Sequence, residues 1–268
     1  MPKKDESAQY LPIISHIFKD HWVKGAVDVE FSRDELIAAA ATLGIDRPKN
    51  LGDLIYSFKF RRELPESIQL SAPKGKCWLL EGAGRALYRF RLVDVGGRTI
   101  VPREDIAAIL IPDSTPEIIE AYALGDEQAV LAKVRYNRLI DIFLGLTTYS
   151  LQNHLRTQVK KMGQIEIDEV YVGLNRNGAQ FVIPVQAKGG TDKLSPVQTM
   201  QDIACCAAKF PDLICRPVSA QFMDENVIAL FELTQQEGRI LIVEERHYRL
   251  VKNDEIDAET RRQYIERS

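Results

Sequence analysis

The chain has 268 residues, of which 45% are hydrophobic and 27% charged, with a formal net charge of −3 at pH 7. That length allows two domains with proper cores, and the near-neutral charge excludes a uniformly basic nucleic-acid coat. Any nucleic-acid surface must therefore be local.

The four cysteines, Cys77, Cys205, Cys206 and Cys215, show neither paired CxxC spacing nor the density of a disulfide scaffold. They point to a reduced, cytoplasmic protein and away from a zinc site. The opening MPKKDESAQYLPII has charges but no long apolar run or small-residue cleavage site. No stretch of about 18 apolar residues follows elsewhere, so neither export nor a membrane partner is expected.

In chain order, YLPIISHIFKDHW (residues 10–22) spaces its apolar side chains as a helix does, and the short VDVEF run after it suits a strand. Ser32-Arg33-Asp34-Glu35 is a capping-box pattern heading LIAAAATLG, a helix that should stop near Gly44. Asn50 is an N-cap candidate for a third helix, LGDLIYSFKFRREL, ending before Pro65. A hairpin follows, Lys76–Leu80 and Ala86–Leu92, joined through the Gly-rich EGAGR turn. In its return strand Leu87, Arg89 and Arg91 alternate with Tyr88, Phe90 and Leu92, which makes one face basic and the other apolar. A short strand, three helices and a hairpin give the element order of a winged helix, whose third helix can enter the major groove. Arg47, Lys49, Lys59, Arg61 and Arg62 against Asp53 alone make the third helix and its lead-in basic, which suits phosphate contacts. Lys49, Lys59, Arg61, Arg62, Arg89 and Arg91 are thus the DNA-binding candidates.

The IPDSTPEIIE segment changes composition and sets a boundary near residue 112, giving domains 1–112 and 113–268. Beyond it, residues 117–123, 127–145 and 147–161 have helical spacing. QIEIDEVYVGLNRNGAQFVIPVQAKGG (164–190) then reads as two apolar strands joined by the Leu174–Gly178 turn. A helix at 196–210, strands at 217–223, 227–233 and 239–244 and a terminal helix from Asp257 complete an α/β or α+β domain of three layers around a mixed sheet.

Alternate strand residues share a face, so Gln186 and Lys188 point one way and Ala187 the other. Antiparallel pairing brings Asp168 beside them. An acid, a side-chain amide oxygen and a lysine facing one cavity suit metal-assisted phosphodiester hydrolysis: Asp168 and Gln186 as Mg²⁺ ligands, Lys188 orienting or deprotonating water or offsetting phosphate charge. Pro184 lies within the second strand, where its missing N–H would interrupt a central ladder unless a bulge or edge accommodates it.

Asp168 and Gln186-Ala187-Lys188, in a helix, strand, strand, helix order over roughly residues 146–225, resemble the PD-(D/E)xK nuclease superfamily. Within it they resemble the Mrr-like restriction endonucleases, where QxK replaces the usual acid. The resemblance implies a restriction-endonuclease-like core, Mg²⁺, double-stranded DNA as substrate, a homodimer that cuts both strands and a cognate methyltransferase. It also implies a supporting glutamine on the following helix, for which Gln201 is the choice ahead of Gln198. Relatives often carry a further acid in the helix before the first strand. YSLQNHLRTQVKK has none, which leaves Glu166 and Glu169 as the nearest acids and Glu169 as a supporting candidate. The alternative is a DNA-binding regulator whose nuclease-like domain is inactive.

Overall fold

The structure, a computed structural model, describes residues 9–94, 100–122, 127–159, 163–189, 194–223, 226–236 and 239–266. The fold is α+β, as expected, and divides into two units: residues 1–99 with 157–165, and residues 100–156 with 166–268.

The first unit runs α1 (Tyr10–His21), β1 (Asp28–Ser32), α2 (Arg33–Thr42), α3 (Leu51–Tyr56), α4 (Glu66–Gln69), β2 (Lys76–Gly84) and β3 (Leu87–Asp94), with a π-helical turn over Ser57–Arg61 after α3. The strands form an antiparallel sheet in the order β1-β3-β2. The local signals read in the sequence act as their chemistry requires. Ser32 N–H donates to the Glu35 carboxylate at 2.6 Å and starts α2. Gly44, at φ +63°, ends that helix, and the Asn50 side chain accepts from Asp53 N–H at 3.1 Å to cap α3. Ile13, Ile14, Ile17 and Phe18 form the buried stripe of α1. Phe18 meets Trp78 and Phe90 edge-on, with ring centroids 5.1 and 5.0 Å away. α4, unforeseen in the sequence, is tied down by Gln69, whose amide exchanges bonds of 2.9 and 3.0 Å with the backbone of Trp78, as another strand would.

The second unit runs β4 (Ile109–Pro112), α5 (Glu117–Tyr122), α6 (Glu127–Tyr136), α7 (Leu139–Leu144), β5 (Thr147–Val159), β6 (Gly163–Leu174), β7 (Gln180–Lys188), α8 (Pro196–Lys209), β8 (Ile214–Cys215), β9 (Val218–Phe222), β10 (Val227–Gln236), β11 (Arg239–Val251) and α9 (Ala258–Glu266). Its sheet has the order β4-β11-β10-β9-β7-β6-β5, with β8 also on β7. The sheet is mixed, since β7 pairs antiparallel with β6 but parallel with β8 and β9. β4 pairs in parallel with β11. The boundary expected near residue 112 therefore falls at 99/100, because Ile109–Pro112 is a strand of the second sheet.

Two helical expectations are corrected. Residues 127–145 form two helices, broken where Arg138 takes a left-handed φ of +50°. Residues 147–159 are a strand, and residues 160–161 of that expected helix lie outside the described residues. Gly145 at φ +64° ends α7, and the Asp141 carboxylate accepts from Thr148 N–H at 2.8 Å and Thr148 Oγ1 at 2.9 Å. The chain then leaves as an edge strand beside β6. Most of β5 is exposed, so its apolar residues carried no burial pattern to separate helix from strand.

β7 is buried from Phe181 to Lys188. Ile183, Val185 and Ala187 pack with Val130, Leu131 and Val134 of α6 and with Leu139 and Ile140 of α7. Side chains alternate across a strand, so Gln186 faces the opposite layer, where it meets α8. Pro184 falls between the stretches by which β7 joins its parallel neighbours, Phe181–Val182 with β8 and Val185–Lys188 with β9. The proline sits where the partner changes, and no parallel pair is interrupted.

At Gly173 β6 packs closely against the start of β5. A Cβ there would come within 3.1 Å of Thr148 Cγ2 and 3.3 Å of the Thr147 carbonyl oxygen. Gly173→Ala should destabilise the second unit by about 1–3 kcal/mol through overpacking, read as a lower urea midpoint at unchanged slope.

Candidate active site

The ordered β6–β7 ladder runs from Leu174↔Gln180 to Glu169↔Val185. One residue further, Asp168 Oδ2 accepts from Ala187 N–H at 2.9 Å, so a side chain takes a donor that a neighbouring strand would otherwise bond. This gathers Asp168, Gln186 and Lys188, all buried, at one end of the sheet. The three residues expected to act together are together.

Each is held by a neighbour. Gln186 Nε2 donates to Asp202 Oδ2 on α8 at 2.7 Å and to the Glu166 carbonyl oxygen at 3.4 Å. Gln186 Oε1 and Asp202 Oδ1 have no hydrogen-bond partner among the described residues. Lys188 Nζ donates to Glu127 Oε1 at 2.5 Å, and Glu127 is the first residue of α6. Close by, His154 Nδ1 and Arg156 each lie 3.0 Å from Glu166 Oε1.

Burial is the main influence on both site acids. It raises the Asp168 carboxyl above its ordinary value, against the lowering effects of Ala187 N–H and Lys188. It raises Asp202 much further, with the Gln186 hydrogen bond opposing and the Asp168 charge adding to the rise. A buried carboxyl without a full set of partners gives up its charge. Asp168 is the more readily ionised of the two.

The other candidates lie elsewhere. Glu169 is fully buried and, by strand alternation, on the opposite face from Asp168. There its Oε1 accepts from Arg135 Nε at 2.9 Å and Ser150 Oγ at 2.5 Å. It is an anchor between β6, β5 and α6, and the position expected to support the site does not reach it. Gln201 is buried on α8, but the α8 side chain that touches Gln186 is its neighbour Asp202.

Glu127 and Asp202 were missed in the sequence. Glu127 lies on α6, with α7 between it and β5, whereas residues 147–161, which read as a helix in the sequence, hold no acid. The signal for Glu127 was a glutamate in the first turn of the preceding helical segment. Asp202 was visible only as an acid on the helix after QxK.

Of the DNA-binding candidates, Lys49 and Arg62 are exposed. Lys59 is half-buried beside Glu81, and burial pushes its amine down to about 8. Arg89 forms a close ion pair with Glu81, and Arg91 lies 3.3 Å from Glu81 and 3.2 Å from Asp28, so the basic face of β3 is largely neutralised. The side chain of Arg61 lies outside the described residues.

No group of three His, Cys, Asp or Glu side chains among the described residues is arranged to hold a metal. The donors present do fit a hard cation in kind: the Asp168 carboxylate, the partnerless amide oxygen of Gln186, and Glu127 beside them. No protein-family model, no curated protein and no solved structure matches the chain.

Two outcomes follow from these contacts. Arg135→Leu leaves Glu169 without its cation, with only the neutral donors Ser150 and Asn153 on Oε1 among the described residues, and should cost about 3 kcal/mol in a denaturation titration, the low end for breaking a buried pair because Arg135 is itself partly exposed. Asp202 has a carboxyl pKa raised on folding, so the folded state holds its proton more tightly than the unfolded one. Its contribution is favourable at low pH and is lost as pH rises above the ordinary aspartate value of about 4. Asp202→Asn, which cannot ionise, should show a smaller fall in stability over that window than the unsubstituted protein.

Proposed function

We propose that the chain is a metal-dependent DNA endonuclease of restriction type, which hydrolyses phosphodiester bonds in double-stranded DNA. The observation that carries this reading is the convergence of Asp168, Gln186 and Lys188 at one end of the β6–β7 pair, with Glu127 on Lys188. The connection supports it too: β7 leads through α8 to β9, which returns parallel to β7 beside Gln186 and Lys188. The PD-(D/E)xK resemblance, with QxK of the Mrr-like kind, calls for a helix directly before the two strands, a place that β5 takes, while the β6–β7 pair and α8 follow the order it implies.

On this reading Asp168 and the Gln186 amide oxygen hold Mg²⁺, with Glu127 as the further acid. The bound cation supplies Lewis-acid polarisation of a phosphate oxygen and a water of lowered pKa. Asp168 must be ionised to serve, and Ala187 N–H and Lys188 both favour that form. Lys188, fixed by Glu127 at 2.5 Å, places an ammonium where negative charge builds on the phosphate. Glu127 also accepts a hydrogen bond from the lysine, which fixes where its ammonium lies.

The first unit is read as a winged helix that holds the duplex through exposed Lys49 and Arg62 near α3, a contact that weakens as salt rises. A homodimer would place two sites on the two strands. A cytoplasmic location and a cognate methyltransferase that protects host DNA belong to the same reading. No described helix is long and apolar enough to cross a membrane. A second reading is a DNA-binding regulator with an inactive nuclease-like domain.

Purified protein with Mg²⁺ or Mn²⁺ should nick or cut plasmid or phage DNA of some modification state, unmodified, methylated or hydroxymethylated. Lys188→Ala and Asp168→Asn should each lower the rate by at least about two orders of magnitude. Tight duplex binding without cleavage under any metal would instead establish the regulator. Cleavage undiminished in Lys188→Ala would remove the mechanism and leave the activity.

A further inference from the structure

We infer that Asp202 is a positioning residue for the cation site: it holds the Gln186 side chain with its amide nitrogen toward α8 and its oxygen toward the metal. The inference rests on the metal-dependent reading of the site, and it concerns a residue that neither QxK nor the strand pair includes.

Hydrogen bonding sets which way the Gln186 amide faces. A glutamine amide has two N–H donors and one carbonyl oxygen. Gln186 directs its nitrogen at two acceptors, Asp202 Oδ2 at 2.7 Å and the Glu166 carbonyl at 3.4 Å, while Oε1 has no partner among the described residues although it is buried. Turning the amide over would set Oε1 against the Glu166 carbonyl, an acceptor in every protonation state, and would present N–H groups to the cation. Only the observed orientation gives the metal an oxygen.

Burial makes the arrangement rigid. Gln186 and Asp202 are 3% and 1% exposed, so water cannot replace either partner cheaply. α8 starts at Pro196 and turns Gln198, Gln201 and Asp202 inward along its buried face. Asp202 thus acts on a ligand from outside the ligand set, as groups behind metal ligands commonly do. A carboxylate ligand would not need it, because both of its oxygens can bind. A glutamine in that place does.

The test measures Mn²⁺ binding to the full chain by titration calorimetry, separately from DNA cleavage. Asp202→Leu removes the acceptor at similar volume and should raise the Mn²⁺ dissociation constant by about tenfold or more. Asp202→Asn keeps an acceptor for Nε2 and should bind close to the unsubstituted protein. With Gln186→Glu as background there is no amide to orient, so adding Asp202→Leu should weaken Mn²⁺ binding no further. A folded Asp202→Leu protein that binds Mn²⁺ normally overturns the inference and leaves the nuclease reading standing. An equal loss in the Gln186→Glu background also overturns it, by showing a general structural effect. If Asp202→Leu does not fold, a crystal structure of the unsubstituted protein with Mn²⁺ decides: Oε1 on the cation and Nε2 on Asp202 support the inference, the reverse overturns it. The expected Mn²⁺ pattern without cleavage of any DNA supports the positioning role and removes the nuclease. No Mn²⁺ binding at all overturns both.

Discussion

Where the β6–β7 ladder stops, the backbone of β7 still has N–H groups that must be satisfied inside the protein. Asp168 meets that need at Ala187, and this single bond shapes the surrounding chemistry. It draws a carboxylate into a buried strand end, where its charge is tolerated only with donors and a cation nearby. The supports come from three directions: the hydrophobic run of β7 beneath it, Lys188 two residues along from Gln186, and Glu127 holding that lysine from α6. A strand end completed by backbone alone would need none of these polar groups and would have little chemistry.

The cluster is rich in acids. Asp168, Asp202 and Glu127 surround Lys188, while burial raises the first two carboxyls. Glu169, next in sequence, does not relieve or add to this balance, because it is on the other face and committed to Arg135. On the proposed reading a hard divalent cation would meet the Asp168 carboxylate and Glu127 beside Lys188.

Period-two alternation made Gln186 and Lys188 legible in the sequence, because that rule needs no tertiary information. The hairpin turn with Asn175 and Gly178 was enough to add Asp168. Glu127 and Asp202 depend on helix packing, which a linear pattern does not contain. β5 adds to this limit, since an exposed edge strand lacks the alternation that would set it apart from a helix. Gln201 and Asp202 show the limit on a helix: both are inward, and only the rotation of α8 against β7 decides which one reaches Gln186. The capping box at Ser32 and the stop at Gly44 were legible because capping is local.

The basic strand face shows the same limit in the first unit. Alternation correctly put Arg89 and Arg91 together, yet their partners lie on other strands: Glu81 stands across from Arg89 in the β2–β3 register, and Asp28 across from Arg91 in the β1–β3 register. Opposed charges on neighbouring strands form cross-strand pairs, and these two arginines are engaged before any DNA arrives. A phosphate approaching β3 must compete with Glu81 and Asp28. Phosphate binding releases counterions in proportion to the charges neutralised. A duplex held at the hairpin would therefore show a shallower salt dependence than the count of arginines in β3 suggests.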